Sequence, residues 1–201
     1  GVLRLSGANT YTGGTSVNAG TLTASYRGSN TKTCLSAGRR VTVNSGATLR
    51  LAAGDALGYY AGNPNTLTIN GGTMTVSPGI HSTIGYYGIT LNGGTITSEG
   101  AGDSTGNYIL DGGITVQANA NPSTISARTI YLRGNSSGGS LSAIPFTVAD
   151  GAAATDLAVS SVLRGPIGIT KSGAGTMQLS GNNTYTGATT VNGGVLELHG
   201  G

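Results

Sequence analysis

Apolar and polar residues alternate along this chain in short runs separated by turn-forming residues. In segments 67–69 and 73–76, large apolar side chains alternate with Thr, which is the period-2 pattern of a strand with one buried face. Between the two runs stand Asn70, Gly71 and Gly72, and Asn and Gly tolerate the positive φ of a sharp turn. The pattern therefore predicts a strand, a turn and a second strand.

This unit, an apolar residue followed by Asn or Asp, a small residue and Gly, recurs along the chain. We expect its polar members to form a ladder of turn side chains, which consists of Asn18, Asn44, Asn70, Asn92, Asp111 and Asn192. The first five lie 26, 26, 22 and 19 residues apart. An uneven period of this size indicates a solenoid whose loops differ in length.

Asn-Gly between alternating strands is also a strong hairpin signal, so a meander of antiparallel hairpins is the alternative fold. Strands of such a meander return after about 8 to 12 residues, whereas the first five marker residues are 19 to 26 residues apart. We therefore predict an all-β parallel β-helix (β-solenoid) of about 8 to 10 rungs with little or no α-helix. In such a coil equivalent Asn and Thr side chains stack, and every interior strand is paired.

Composition excludes several classes of protein. Gly contributes 37 of the 201 residues, charged residues are only 8% and the net charge is +3, so helical folds rich in Glu and Lys are excluded. Disorder is also not expected, because a disordered chain combines few apolar residues with a high net charge. No run of 18 apolar residues is present, which predicts no membrane-spanning helix. Arg39-Arg40 is the only adjacent basic pair, which predicts no nucleic-acid partner. The one Cys, Cys34, is expected to be half-buried.

Two distant segments share an unusual sequence. Residues 2–22 and 173–198 both contain Leu-Ser-Gly-x-Asn-Thr-Tyr-Thr-Gly followed by the turn unit. They resemble the passenger-associated, or autotransporter-associated, β-strand repeat of bacterial surface and secreted proteins. Residues from 156 onward are similar to the strands that lead into this repeat, so the resemblance covers 2–22 and 156–198. Residues 23–155 share only its rhythm.

The resemblance implies a right-handed parallel β-helix in an extracellular or cell-surface protein, here a single domain over residues 1–201. In that family the repeat has a structural and secretion-assisting role and not a catalytic one. Together with the scarcity of charge and the missing catalytic motifs, the repeat favours a non-enzymatic stalk, adhesive surface or filament subunit that needs no cofactor. A carbohydrate-active or carbohydrate-binding β-helix acting on extracellular polysaccharide is the alternative.

Candidate catalytic and metal-binding residues are few. Acid–base catalysis needs two carboxylates, or a carboxylate and a His, in one cleft. Glu99 and Asp103 form the only close acidic pair, in a Gly-rich stretch, and a solvated loop is favoured over a catalytic dyad. His81 and His199 have no Cys or acidic partner at ligand spacing, which predicts no zinc site. We therefore expect no catalytic, cofactor-binding or metal-binding residue.

Paired tyrosines recur before the turn units. Tyr59-Tyr60 follows Leu57-Gly58, and Tyr86-Tyr87 follows Ile84-Gly85, which indicates that adjacent rungs share a corner. We favour packing of the four rings against one another at that corner. The alternative is an exposed platform for the sugar rings of a host or matrix glycan.

The strand-like segments 2–5 and 195–198 carry no visible cap, and they place Arg4 and Glu197 at matching positions. An open strand edge is a template for pairing. We therefore expect the chain either to associate end to end, which produces a filament because such a contact does not close on itself, or to continue covalently into a longer β-helix.

Overall fold

The computed structural model describes residues 1–35 and 37–200. Over these residues the chain coils, and its strands return repeatedly to two long parallel sheets and, mid-chain, to a third. The predicted parallel β-helix is confirmed. A 3-10 turn at Tyr60–Gly62 is the one helical segment in the described part of the chain. The described residues contain no helix of the length and apolarity that crossing a membrane requires.

The strands form three parallel sheets and one short antiparallel hairpin. The first sheet runs through β1 (Val2–Leu5), β3 (Gly20–Ala24), β5 (Ala47–Leu51), β7 (Thr73–Val76), β10 (Thr95–Ser98), β13 (Ser123–Ile125), β18 (Leu157–Val159), β21 (Thr176–Leu179) and β23 (Val195–Leu198). The second runs through β2 (Thr15–Val17), β4 (Arg40–Asn44), β6 (Thr66–Asn70), β9 (Ile89–Asn92), β12 (Ile114–Val116), β17 (Ala143–Val148), β20 (Gly168–Ser172) and β22 (Thr189–Val191). The third runs through β8 (Ser82–Ile84), β11 (Tyr108–Leu110), β14 (Thr129–Leu132) and β19 (Val162–Arg164), and the hairpin consists of β15 (Asn135–Ser136) and β16 (Gly139–Ser140).

Strands pair with equivalent residues opposite one another, so inward side chains stack in rows along the axis. One buried apolar row of the first sheet consists of Leu22, Leu49, Met74, Ile96, Ile125, Val159 and Leu179. The outward positions of the same strands carry mainly Thr and other polar residues, which accounts for the period-2 pattern. Truncating one buried Leu or Met of such a close-packed row to Ala costs about 2 to 5 kcal/mol.

The turn from the second sheet to the first explains the Asn-Gly-Gly sequence. Gly71 has a φ of +70°, which lies in the left-handed region that favours Gly. Gly72 lies against the preceding coil, where an added Cβ would come within 2.5 Å of the Asn44 carbonyl oxygen. The first Gly therefore makes the turn, and the second allows consecutive coils to approach.

On its way from the first sheet to the second, the chain passes through the longer loops, and we call this side of the coil the third side. It contains the third sheet and the hairpin β15–β16. The hairpin reaches back to an earlier coil, because the Ser137 amide donates a hydrogen bond of 2.8 Å to the Tyr86 carbonyl oxygen. Both tyrosine pairs lie on this side of the coil.

Candidate functional site

The asparagines that mark the turns form a continuous side-chain ladder. Each Nδ2 donates to the Oδ1 of the Asn one coil earlier, with distances of 2.7 Å from Asn44 to Asn18, 3.0 Å from Asn70 to Asn44 and 2.8 Å from Asn92 to Asn70. The next member is Asn119, which donates to Asn92 at 2.7 Å. The sequence pattern misses Asn119 because no Gly follows it, although it lies 27 residues after Asn92, close to the coil period.

Asp111 is not a member of this ladder, which corrects the expectation from its sequence motif. It follows β11 in the third sheet, whereas the ladder residues lie at the ends of second-sheet strands. Its carboxylate is fully buried and accepts two hydrogen bonds of 2.7 Å from the Arg133 guanidinium. Its motif resembles the others because a Gly-rich turn also follows the third sheet.

Asn192 also stands apart from the ladder. The pairing of Lys171 with Val191 places it opposite Ser172, whose side chain is a hydroxyl and not an amide. Within the described residues, the structure gives the Asn192 side chain no hydrogen bond, and its backbone amide donates to the Lys171 carbonyl oxygen at 2.7 Å. The ladder predicted at six positions therefore contains the first four, together with Asn119.

Four tyrosines of two consecutive coils meet on the third side and, with Arg133, form what we call the tyrosine corner. The rings make an unbroken series of edge-to-face contacts, with centroids 5.4 Å apart for Tyr59 and Tyr60, 5.8 Å for Tyr60 and Tyr86, and 4.9 Å for Tyr86 and Tyr87. Each such contact contributes about 0.5 to 1.5 kcal/mol beyond the burial of its rings. The rings thus pack against one another, and glycan binding by them stays a prediction.

Arg133 closes one side of the tyrosine corner. Its guanidinium carbon lies 5.4 Å from the centroid of the Tyr60 ring, a cation–π distance. The hydrogen bonds to Asp111, opposed by desolvation, raise the pKa of Arg133 above its ordinary value. Arg133 lies over Tyr60, and Tyr87 is the most exposed of the four tyrosines, at 40%.

Two buried side chains fix the loop that carries the first tyrosine pair. Asp55 accepts a hydrogen bond of 2.8 Å from the Thr83 amide, and the Asn63 amide group donates one of 3.2 Å to the Thr83 carbonyl oxygen. Asn63 also accepts a hydrogen bond of 3.2 Å from the Tyr86 amide. These side chains satisfy backbone groups that a neighbouring strand would otherwise satisfy. They also hold Asp55 and Tyr60 at φ values of 49° and 48°, which are unfavourable for residues with a side chain.

The acidic residues Glu99 and Asp103 are each bound to a basic side chain of an earlier coil. The Glu99 carboxylate accepts hydrogen bonds of 2.6 and 2.7 Å from the Arg50 guanidinium. Asp103 lies with one carboxylate oxygen 2.5 Å from Nδ1 of His81. Both carboxylates therefore act as partners in inter-coil ion pairs, and this arrangement gives no support to a catalytic dyad.

His81 lies between two carboxylates, which corrects the expectation that it has no acidic partner. Its Nε2 is 3.5 Å from the largely buried Asp55, on the side opposite Asp103. Hydrogen bonding to Asp55, opposed by desolvation and reinforced by Asp103, raises the pKa of His81 to about 8. Asp55 precedes His81 by 26 residues and Asp103 follows it by 22, the spacings of the second, third and fourth ladder residues. Charged residues that lie one coil period apart are therefore the sequence signal for this cluster.

His199 and Cys34 lie outside the asparagine ladder and the tyrosine corner. His199 is more than half exposed and lies 3.3 Å from the Glu197 carboxylate. Cys34 is completely buried, more so than its sequence context predicts, and its thiol donates to the Leu5 carbonyl oxygen at 3.1 Å. Among the described residues, no group of three His, Cys, Asp or Glu side chains is placed to hold a metal ion.

Exposed large apolar side chains occur in three places on the described structure. Two of these places are the first and last coils, with Val2, Leu3, Tyr11, Val191, Val195 and Leu198. The third is the tyrosine corner, where Tyr60 is 37% and Tyr87 is 40% exposed. Within the described residues, the tyrosine corner is thus the place between the two end coils where large apolar groups face solvent.

Comparison with known proteins identifies the repeat. A family model described as the passenger-associated-transport-repeat matches residues 1–24 and 169–198. The chain carries passenger-associated transport repeats. The two matched segments have the same local structure, since β1 pairs with β3 as β21 pairs with β23. In both, a Tyr hydroxyl is hydrogen-bonded to the hydroxyl of a Thr four residues later, at 2.5 Å for Tyr11 and Thr15 and at 2.6 Å for Tyr185 and Thr189. The family resemblance read from the sequence is confirmed.

This passenger-repeat chain is similar to the Adhesin BmaC autotransporter of Brucella suis biovar 1 (strain 1330). The two are 33% identical over 214 residues, which covers 80% of this chain and 6% of that protein. The chain thus spans about 6% of the length of the curated relative that it matches. No solved structure matches it.

Proposed function

We propose that this chain is a non-enzymatic, adhesin-type passenger segment, displayed on or secreted from a bacterial cell, that contacts uncharged glycans through the tyrosine corner. Three findings support the proposal. The chain has passenger-associated transport repeats, a relative that is named an adhesin, and a parallel β-helix. At the level of the site, the proposal rests on the exposed rings of Tyr60 and Tyr87 on the third side of the coil.

The chemistry of the tyrosine corner suits the face of a sugar ring. The C–H groups on one face of a pyranose are apolar and pack on an aromatic ring, while the phenolic hydroxyl remains available for hydrogen bonds. Tyr87 has the most open ring, and edge-to-face contact with Tyr86 fixes its orientation. Because Nε and Nη2 of Arg133 both donate to Asp111, whose carboxylate cancels the guanidinium charge, Arg133 offers little to an anionic sugar, and uncharged glycans are favoured.

The proposal is tested on an array of uncharged and acidic glycans. We expect the wild-type chain to bind uncharged members, and Tyr87→Ala to weaken this binding about tenfold, the effect of truncating an aromatic anchor. Tyr11→Ala is the matched control, because Tyr11 is 37% exposed but lies at the first coil, and it should bind as the wild type does.

Two results would contradict this proposal. Binding to no glycan, or equal binding by Tyr87→Ala and the wild type, removes the tyrosine corner as a contact surface. Release of reducing ends from the same glycans, if it is lost in Glu99→Gln or Asp103→Asn, shows an enzyme instead. The ion pairs of Glu99 with Arg50 and of Asp103 with His81 favour the non-enzymatic outcome.

We further propose that the coil stack is extended at β23 by another strand, supplied by the same polypeptide or by a second copy. β23 is the equivalent of β3, and β3 is followed in its sheet by β5 with the sequence Leu49-Arg50-Leu51. β1 carries the same three residue types in Leu3-Arg4-Leu5. If β1 of a second copy stacked on β23 in the same register as β5 stacks on β3, Arg4 would lie opposite Glu197.

A further inference from the structure

We propose that His81 is a positioning residue of the tyrosine corner, and that it acts through Asp55 on the loop that presents Tyr59 and Tyr60. The role of the loop as a contact surface rests on the proposed function, whereas its positioning by His81 does not. Contacts among Asp55, His81 and Asp103 link three consecutive coils at this point.

The first step is the position of the His81 ring. It separates two carboxylates, with Asp103 2.5 Å from Nδ1 and Asp55 3.5 Å from Nε2. A neutral imidazole has a single N–H donor, and an imidazolium has two. Both carboxylates can therefore be satisfied at once only when the ring is protonated. Each ring nitrogen faces one carboxylate, so the His81 side chain bridges Asp55 and Asp103.

The second step is the role of Asp55. One of its oxygens faces His81, and the other accepts the hydrogen bond from the Thr83 amide. Asp55 is 7% exposed and has a positive φ, so it keeps this place only while its contacts hold it. Its carbonyl oxygen also accepts a hydrogen bond of 2.6 Å from the Gly58 amide, directly before the tyrosine pair.

The third step is the contrast between the two ends of the loop. At the far end, Asn63 is 1% exposed and bonds Thr83, Gly58 and Tyr86 through an amide group that does not titrate. At the near end, Asp55 accepts from the Thr83 amide and donates its own amide to the His81 carbonyl oxygen at 3.1 Å, but its second carboxylate oxygen faces the titratable His81 ring. Loss of the proton therefore loosens the loop at its start while the end remains attached to β8.

Other charged groups near the cluster do not replace this contact. The Arg27 guanidinium carbon lies 3.9 Å from the position that a Cβ on Gly54 would take, next to Asp55 in the chain, and the charge of Arg133 also acts on Asp55. Arg133 is held by Asp111, and Arg164 donates to the Ser104 carbonyl oxygen at 2.6 Å. Within the described residues, the groups that face His81 itself are Asp55 and Asp103.

The sign of the pH dependence follows from the direction of the pKa shift. The pKa of His81 is raised from 6.5 to about 8, so its contribution is complete below about pH 6.5 and is lost as the pH rises through about 8. A shift of this size corresponds to at most about a 30-fold change in the equilibrium between held and released loop. Because His81 is partly exposed, we expect about tenfold.

The test is hydrogen–deuterium exchange of residues 55–63 in the full chain between pH 6 and pH 9, corrected for the intrinsic rate. The wild type should exchange about tenfold faster at pH 9 than at pH 6. His81→Gln should exchange fast at both pH values. His81→Arg, which keeps two donors and its charge, should remain protected at both. His199→Gln is the matched control and should keep the wild-type profile.

Two outcomes would overturn the inference. They are a flat wild-type profile and a His81→Gln profile identical to the wild type. If His81→Gln does not fold, as judged by circular dichroism, Asp103→Asn replaces it, since Asp103 is on the exposed side of the cluster, and it should move the wild-type transition to lower pH. An unchanged transition would equally overturn it. Absence of glycan binding at every pH contradicts the proposed function alone.

Discussion

Lys171 occupies a place that an apolar side chain fills in the neighbouring coils. It pairs with Phe146 on one side and Val191 on the other, and it is completely buried. Its ammonium group donates hydrogen bonds of 3.1, 2.9 and 2.9 Å to the carbonyl oxygens of Ser172, Gly173 and Gly193. Desolvation, opposed by Asp156, lowers the pKa of Lys171. The lysine thus joins the turns of two coils through backbone acceptors.

We predict that Lys171→Ala lowers the free energy of unfolding by about 2 to 4 kcal/mol, because it leaves a cavity and three carbonyl oxygens without their donor. Lys171→Met should cost less, since it retains most of the packing. Urea denaturation followed by circular dichroism measures both. Lys32→Ala is the control at an exposed lysine, and an equal loss in this variant would contradict the assignment.

At the scale of an element, the asparagine ladder links coils through side chains as the sheets do through backbone groups. Asn70 is a central member, with one ladder bond to Asn44 and one to Asn92. Asn192 occupies the same sequence motif without a ladder bond among the described residues. The two positions share the motif and differ in the ladder, although the positive φ lies at Gly71 in the first turn and at Gly194 in the second.

We predict that Asn70→Ala destabilises the protein by about 1 to 3 kcal/mol, the net value of two hydrogen bonds of about 0.5 to 1.5 kcal/mol each. Asn192→Ala should change stability by less than about 0.5 kcal/mol. The urea midpoint of each variant, compared with that of the wild type, measures these two changes in stability. Equal effects at both positions would show that the motif matters for its turn and not for its ladder.

The strands could be predicted from the sequence because their signal is local. Alternation of apolar residues with Thr marks β6 and β7, and Asn-Gly-Gly marks the turn between them. The placement of Asp111 could not be predicted, because the lengths of loops on the third side decide which sheet follows a given motif. The His81 cluster and the contact of Lys171 with the next turn join residues more than 20 positions apart. Such contacts follow only once the coil period is known.

At the scale of the whole molecule, the proposed extension of the coil stack would join the edges of β23 and β1. Val195 and Leu198 are 49% and 72% exposed there, and Val2 and Leu3 are 74% and 61% exposed on β1. Pairing these edges would bury the apolar groups and satisfy the unpaired backbone of both strands.

We therefore predict that the purified 201-residue chain forms larger particles as its concentration rises, which sedimentation velocity measures. Arg4→Glu should weaken this association by up to about fivefold, because an exposed ion pair contributes at most about 1 kcal/mol. Arg4→Glu combined with Glu197→Arg should restore it, and Arg39→Glu serves as the control at another exposed arginine. A strictly monomeric chain at high concentration would show that no second copy supplies the strand.

The asparagine ladder also bears on how the protein ages. An Asn followed by Gly deamidates when the Gly nitrogen attacks the side-chain amide, a reaction that needs both groups to move freely. In Asn70-Gly71 the amide is held by the ladder, and the Gly71 amide donates to the Asn92 carbonyl oxygen at 2.9 Å. Asn192-Gly193 has the same sequence without the ladder. We therefore expect deamidation, which adds a negative charge, to begin at Asn192 and to be slower at the amides that the ladder holds.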